Sequence, residues 1–236
     1  MNVNQHERSS AQSPTAEAGA EASRPLIIIV DDDDSLREAL QELMMSAGLD
    51  TVCFASTREL LAAQLPDRPG CLVADVRMPG VSGLDLQRQL AQNGNRKPIV
   101  FLTAHGDIPM SVQAMKAGAV DFLTKPVRDQ TLLDAIAAGV DRDRIQRAQS
   151  QVLKGRLDKL ALLTPRERQV LGEVARGRQN KQIAFDLGIS EITVKLHRGN
   201  LMRKMALTSV SELIRLWESL PIEIREKNDV QAGPGS

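Results

Sequence analysis

Short apolar runs recur through the first half of the chain, and each gives way to a segment whose apolar residues return every three or four positions. The run "LIIIV" precedes "SLREALQELMMSAG", "GCLVADV" precedes "SGLDLQRQLAQNG", "KPIVFLTA" precedes "IPMSVQAMKAG", and "VDFLTKP" precedes "RDQTLLDAIAAGV". Spacings such as Leu36, Leu40, Leu43 and Leu132, Ile136, Val140 give the second member of each pair one apolar helical face. The runs themselves do not alternate with polar residues, so they are strands buried on both sides, as in a parallel sheet covered by helices. With "DTVCFAS" as a further strand, the pattern predicts a doubly wound α/β domain on a five-stranded parallel sheet over residues 25–140.

Beyond it the strand period disappears. "DRDRIQRAQSQVLKGRLDKL" is charged and helix-prone, which predicts a helical linker over 141–158. Four short helical segments follow: "TPRERQVLGEVARG", "NKQIAFDLG", "SEITVKLHRGNLMRKM" and "SVSELIRLWESL". Thr164, Pro165 and Glu167 form the start signal of the first of these, a capping box with proline in the first turn. Gly188 lies in a short turn between the second and third, the pattern of a helix-turn-helix. A small all-α domain is therefore expected over 159–223. Residues 1–24, rich in Ala, Ser and Glu, and 224–236 read as disordered tails.

The two halves carry opposite charge. The formal net charge is zero, but residues 26–140 hold 15 Asp+Glu against 10 Lys+Arg, while 141–236 hold 12 against 18, a balance of −5 and +6. Different partners are implied, with nucleic acid first for the basic half. No apolar run approaches the roughly 20 residues that span a bilayer, and the first 24 residues lack the apolar centre of a signal peptide. A cytoplasmic protein with no membrane partner is expected. Cys53 and Cys71 lie in apolar company without metal-ligand spacing, as reduced buried thiols do.

The candidate chemistry gathers where the strands end. In doubly wound sheets the ligand crevice lies outside the carboxyl ends of the strands, and there the chain places Asp31 and Asp32, Asp75, Thr103 and Lys125. Clustered carboxylates repel unless a cation neutralises them. Mg²⁺ is commonly held by one or two carboxylates with waters and phosphate oxygens, which Asp31, Asp32 and Asp75 suit. Lys125 would offer a point charge, and Thr103 a hydroxyl, to a phosphoryl oxygen. Asp75, alone at its strand end before "RMPG", is the candidate phosphoryl acceptor. Asp33 and Asp34 have another use, because "SLRE" reads as a capping box of Ser35 and Glu38 and both aspartates would face the positive end of that helix.

In the basic half, Arg166 to Lys204 contains nine Lys+Arg and four Asp+Glu. On the helix from Glu191, Val194, Leu201 and Met205 share a core side, leaving Lys195, Arg198, Gly199 and Met202 for a DNA groove. Asn180, Lys181, Thr193 and Lys204 are candidates for the DNA backbone. His197 reads as an edge-of-core histidine.

The residues "VDDDDS", "VADVRMPGVSGLDL", "FLTAHGD" and "GAVDFLTKP", with 28 positions from Asp75 to Thr103 and 22 from Thr103 to Lys125, resemble receiver domains of two-component response regulators. The resemblance implies a flavodoxin-like fold and phosphotransfer to Asp75 from a sensor histidine kinase. It also implies Mg²⁺ held by Asp31, Asp32, Asp75 and the backbone carbonyl of Arg77, a switch pair of Thr103 and Phe122, and a cis Lys125–Pro126 bond. Ala104 is small and leaves room for a phosphodonor. The run "LTPRERQVLGEVARGRQNKQIAFDLGISEITVKLHRGNLMRKM" resembles LuxR-type DNA-binding domains, so the whole chain is similar to FixJ/NarL-class transcription factors. By that resemblance Glu191 to Met205 is the recognition helix, with Asn200 also in the DNA-binding set. Gly199 stands where some relatives carry a base-contacting lysine, which shifts readout to Lys195, Leu196 and Arg198. Homodimerisation on phosphorylation, promoter DNA and RNA polymerase are the implied partners. Leu213, Leu216 and Trp217 are open between domain pairing and core.

A Mg²⁺-dependent phosphohydrolase is the competing class. It would place its nucleophile on the first strand in a D-x-D arrangement under a substrate cap, and no insertion here is large enough to build one. A third reading, a phosphorylation-independent DNA-binding regulator, has the intact Asp75, Thr103 and Lys125 set against it.

Overall fold

The computed structural model describes residues 24–230, which divide into two compact units between Arg147 and Ala148. In the first unit β1 (Leu26–Val30), β2 (Asp50–Phe54), β3 (Gly70–Ala74), β4 (Ile99–Thr103) and β5 (Asp121–Thr124) form a parallel sheet in the order β2-β1-β3-β4-β5. Between them lie α1 (Asp34–Ser46), α2 (Thr57–Ala62), α3 (Gly83–Gln92) and α4 (Ile108–Lys116), and α5 (Asp129–Ala161) follows.

Successive residues of the apolar strands enter opposite cores, because side chains alternate across a sheet. Ile28 and Val30 pack with Leu72, Phe101 and Leu86 on one face; Ile27 and Ile29 pack with Val73, Met44, Leu132 and Ile136 on the other. The first helix of the last pair starts as expected but continues: α5 runs unbroken through Gly139 and Gly155. At Gly139 the helix crosses β3 so closely that a Cβ would stand 2.5 Å from the Cys71 sulfur. Cys71 is fully buried there, and burial pushes its thiol up to about 12. Cys53 departs from the expectation of a buried thiol: β2 is an edge strand, all five of its residues are only half-buried, and Cys53 with them.

The opening capping box is also corrected. Asp33, not Ser35, is the N-cap of α1, because its backbone is extended and its carboxylate accepts the Leu36 N–H. Ser35 already lies inside the helix.

In the second unit α6 (Pro165–Ala175), α7 (Asn180–Leu187), α8 (Glu191–Met205) and α9 (Val210–Glu218) enclose one core with Val170, Leu171, Ile183, Val194 and Leu201 at its centre. α6 opens with the capping box of Thr164 and Glu167 that the sequence predicts. α7 ends at Gly188, whose φ of 63° is the left-handed turn glycine favours. Leu213 and Trp217 are buried in this core, and Leu216, half-buried, packs partly against it. A further helix, α10 (Ile222–Val230), occupies residues that the composition assigns to a tail from 224 onward. Ile224, partly buried, packs against the core. The remaining tail residues, 1–23 and 231–236, lie outside the described residues. Among the described residues no helix is long and apolar enough to cross a membrane.

Candidate functional site

The sheet register builds the acidic site. Val30 pairs with Ala74, so Asp31 and Asp75, each one residue later, stand side by side just past the ends of the neighbouring strands β1 and β3. Thr103 pairs with Thr124, which brings Lys125 level with the same edge. The Asp75 N–H donates to Val30 O at 2.9 Å and the Lys125 N–H to Thr103 O at 2.8 Å, so the strand pattern extends one residue into the site.

Asp31 and Asp75 are 2% and 9% exposed, while Asp32 faces solvent. One ligand oxygen from each of the three lies within 4.8 Å of the others. Lys125 bridges the two buried carboxylates, its Nζ donating to Asp31 Oδ2 at 2.6 Å and to Asp75 Oδ2 at 3.1 Å. Burial alone would lower the lysine's pKa; the hydrogen bonds and charges of Asp31 and Asp75 outweigh it and raise the pKa above the ordinary value. The remaining oxygens are oriented by backbone: Asp31 Oδ1 accepts the Asp33 N–H at 3.0 Å and Asp75 Oδ1 the Arg77 N–H at 3.1 Å. Arg37 on α1 donates to the Asp31 carbonyl, a support that its place in an ordinary amphipathic helix did not signal.

These hard oxygen donors, two of them buried, are consistent with a divalent-metal site. Beside them a cleft of about 570 Å³ is lined by Asp32, Arg77, Met78, Ser82 and Met110. Thr103 is 1% exposed and its Oγ1 accepts the His105 N–H at 3.4 Å. Phe122 is half-buried, its ring centroid 6.2 Å from that of Phe101 at an interplanar angle of 50°. Ala104 is exposed. The Lys125–Pro126 peptide is cis, as the resemblance implied.

The basic unit arranges its candidates less uniformly. Lys181, Lys195 and Leu196 are exposed, and Thr193, Arg198 and Asn200 half-exposed. Arg198 Nη1 donates to Asn180 Oδ1 at 2.6 Å, which ties the middle of α8 to the start of α7. Asn200 Oδ1 accepts from Arg203, and the Thr193 hydroxyl is 2.8 Å from that of Ser190, the N-cap of α8. Lys204 is held from below: its Nζ donates at 2.7 Å to Glu167, a carboxylate only 3% exposed. That partnership was invisible along the chain, where the two are 37 residues apart. His197 is half-buried.

An acidic, lysine-bridged edge on a parallel sheet and a basic helix-turn-helix in one chain are the combination of a two-part regulator. Residues 27–137 match the family model of the response regulator receiver domain, and residues 161–217 that of bacterial regulatory proteins of the luxR family. Nodulation protein W of Bradyrhizobium diazoefficiens is 47% identical over 210 residues, 89% of this chain and 92% of its own. The transcriptional regulatory protein FixJ of Azorhizobium caulinodans is 43% identical over 188 residues, 80% and 89% of the two chains. Among solved structures, the response regulator StyR matches with a TM-score of 0.75 and 47% identity, covering 83% of this chain and 99% of its own. The chain belongs to the two-component response regulators of the FixJ/NarL class, with a receiver domain and a LuxR-type DNA-binding domain. It is a transcriptional regulator with a kinase partner and a DNA target, not a conventional enzyme, which sets the phosphohydrolase reading aside.

Proposed function

We propose that Asp75 is the phosphoryl acceptor of a sensor histidine kinase, and that its phosphorylation with Mg²⁺ switches dimerisation and promoter binding. The observation that carries this reading is the Lys125 ammonium lying between Asp31 and Asp75, on a sheet edge where all three Asp ligand oxygens converge. Mg²⁺ held by Asp31, Asp32, Asp75 and the Arg77 carbonyl would neutralise charge on the transferring phosphoryl group.

The chain's own residues do the rest. An Asp75 carboxylate oxygen attacks phosphorus, the phosphorus–nitrogen bond to the kinase histidine breaks, and its electron pair stays on the imidazole, which takes up a proton. The product is an acyl phosphate. Lys125 exchanges its bond to Asp75 for a phosphoryl oxygen, and the exposed Ala104 leaves the approach open. The Thr103 hydroxyl turns to the same phosphoryl group, and Phe122 moves into the space beside it. Asn180, Lys181, Thr193 and Lys204 contact the DNA backbone; Lys195, Leu196, Arg198 and Asn200 face the bases. The domain organisation we assign is a receiver over 25–140, a helical linker over 141–158 and a DNA-binding domain over 159–223, acting in the cytoplasm, with RNA polymerase a partner at the promoter.

Acetyl phosphate with Mg²⁺ tests the switch by intact-protein mass and sedimentation. One added phosphate that requires both the metal and Asp75, absent from Asp75→Asn, together with a shift toward dimer, is expected. An adduct that survives in Asp75→Asn, or none on the wild type with donor breakdown excluded by a phosphate-release assay, refutes the assignment.

A further inference from the structure

The recognition helix presents to solvent an apolar pair that its own fold does not use. Ile192 is 79% exposed and Leu196, one turn later, 61% exposed, while Val194, Leu201 and Met205 fill the core on the opposite side of α8. Residues four apart lie one above the other on a helix, so Ile192, Leu196 and Gly199 follow one stripe with Lys195 beside it. Ile192 has no part in the helix start: the apolar residues flanking the Ser190 cap that reach the core are Ile189 and Val194. Gly199 is as unexplained by packing. It sits in the interior of a 15-residue helix, where glycine is the least favourable residue after proline, yet a Cβ there would meet nothing within 4 Å. A fold under no constraint at these positions exposes isoleucine and omits a side chain on the face that the DNA-binding reading turns toward the major groove.

We infer that Ile192 is a specificity-determining residue that reads a thymine through its 5-methyl group, and that Gly199 provides the clearance for the helix to come close enough. The inference rests on the assignment of α8 as the recognition helix. The major groove offers one apolar feature, the thymine methyl, and aliphatic side chains meet it without hydrogen bonds. Lys195, exposed beside the stripe, supplies the charge that holds such a face against the duplex. Leu196 and Ile192, one helical turn apart, would address different base steps.

The test uses the full chain with acetyl phosphate and Mg²⁺. Duplexes enriched from a random-sequence pool are re-synthesised with single thymines replaced by deoxyuridine, which removes the methyl and keeps every hydrogen bond. At one thymine per half-site the wild type should lose about fourfold in affinity, the equivalent of one buried methyl group. Ile192→Ala should bind the thymine duplex about fourfold more weakly and be indifferent to uracil at that position, while remaining sensitive at others. Gly199→Ala should melt at a higher temperature than the wild type and bind the same duplex more weakly. Enriched sites whose affinity ignores uracil throughout, an Ile192→Ala protein with the wild-type uracil profile, or a Gly199→Ala protein that binds as the wild type does, each overturn the inference and leave the DNA-binding reading standing. A pool that yields no enriched sequence overturns both.

Discussion

Glutamine at position 167 separates two roles of one buried carboxylate. Glu167 accepts the Thr164 N–H at 2.8 Å, closing the capping box of α6, and the Lys204 ammonium at 2.7 Å. Glu167→Gln keeps an acceptor for the cap and deletes the charge. A hydrogen bond to a charged group contributes about 1.5–3 kcal/mol. The Lys204 side chain is 31% exposed and recovers part of this from water, so the loss should be about 1–2 kcal/mol. Trp217 is the single tryptophan and is buried in the core of this unit, so its fluorescence reports that unit within the full chain. The urea midpoint should fall by about 1 M, for a slope of about 1–2 kcal/mol per molar.

The pH dependence identifies the cause. Burial alone would push the Glu167 carboxyl up, but the hydrogen bonds from Lys204 and Thr164 outweigh it and hold the carboxyl below its usual value of 4.5. A lowered folded value means that the stabilisation is complete above about pH 4.5 and is lost as the pH falls through the lowered value. The gap between wild type and Glu167→Gln should therefore be full at pH 7 and narrow below pH 4.5. The variant also frees a lysine proposed to meet the DNA backbone, so its binding should depend more steeply on salt, by up to about 0.9 in log–log slope. Equal midpoints at pH 7, or a gap that persists unchanged in acid, would refute the reasoning.

Gly139→Ala should destabilise the first unit by about 1–3 kcal/mol in thermal unfolding, because the new methyl meets the Cys71 sulfur; in a Cys71→Ala background, where only the 3.2 Å approach to the residue 71 Cβ remains, the same change should cost clearly less. A thiol reagent should label Cys53 in the native protein and Cys71 only on unfolding, since Cys71 is fully buried with its thiol pushed up to about 12; equal rates would contradict the packing. Lys125→Ala removes the ammonium that bridges Asp31 and Asp75, so Mg²⁺ should raise the melting temperature of this variant more than that of the wild type, and Asp31→Asn should lose most of the effect. A smaller Mg²⁺ shift in Lys125→Ala than in the wild type would show that the lysine does not compete for those oxygens.

The parts of this molecule legible in its sequence are those whose signal is local. Asp31 and Asp75 stand out because each follows an uninterrupted apolar run, and a parallel sheet brings such ends to one edge whatever the loops do. The capping box at Thr164 is readable for the same reason, being complete within four residues. Contacts between distant residues were not. Lys204 reads as one more cation on a basic helix until the fold puts Glu167 beneath it, and Cys53 looks buried until the strand order makes β2 an edge. The helix α10 is hard to read from the sequence because its segment is mostly polar and charged, and Ile224 finds its place only once a core exists to receive it. In "DRDRIQR" nothing marks Asp143 out from its neighbours, yet it alone among those acids is buried.

That aspartate has a mechanical consequence. It lies on α5, 5% exposed, and accepts the Gly70 N–H at 2.8 Å, Lys97 at 3.0 Å and Arg147 at 3.0 Å. Gly70 begins β3, and the residue just past the other end of that strand is Asp75. Apolar contacts tolerate sliding, whereas a buried charge with directed partners holds one register. β3 is thus pinned at its foot like a rail bolted at one end, with the Asp75 carboxylate just past its head. If Asp75 takes up charge as proposed, a strand held at its foot should stay in place, and displacement is expected at the ends of β4 and β5, where Thr103 closes one strand and Lys125 follows the other.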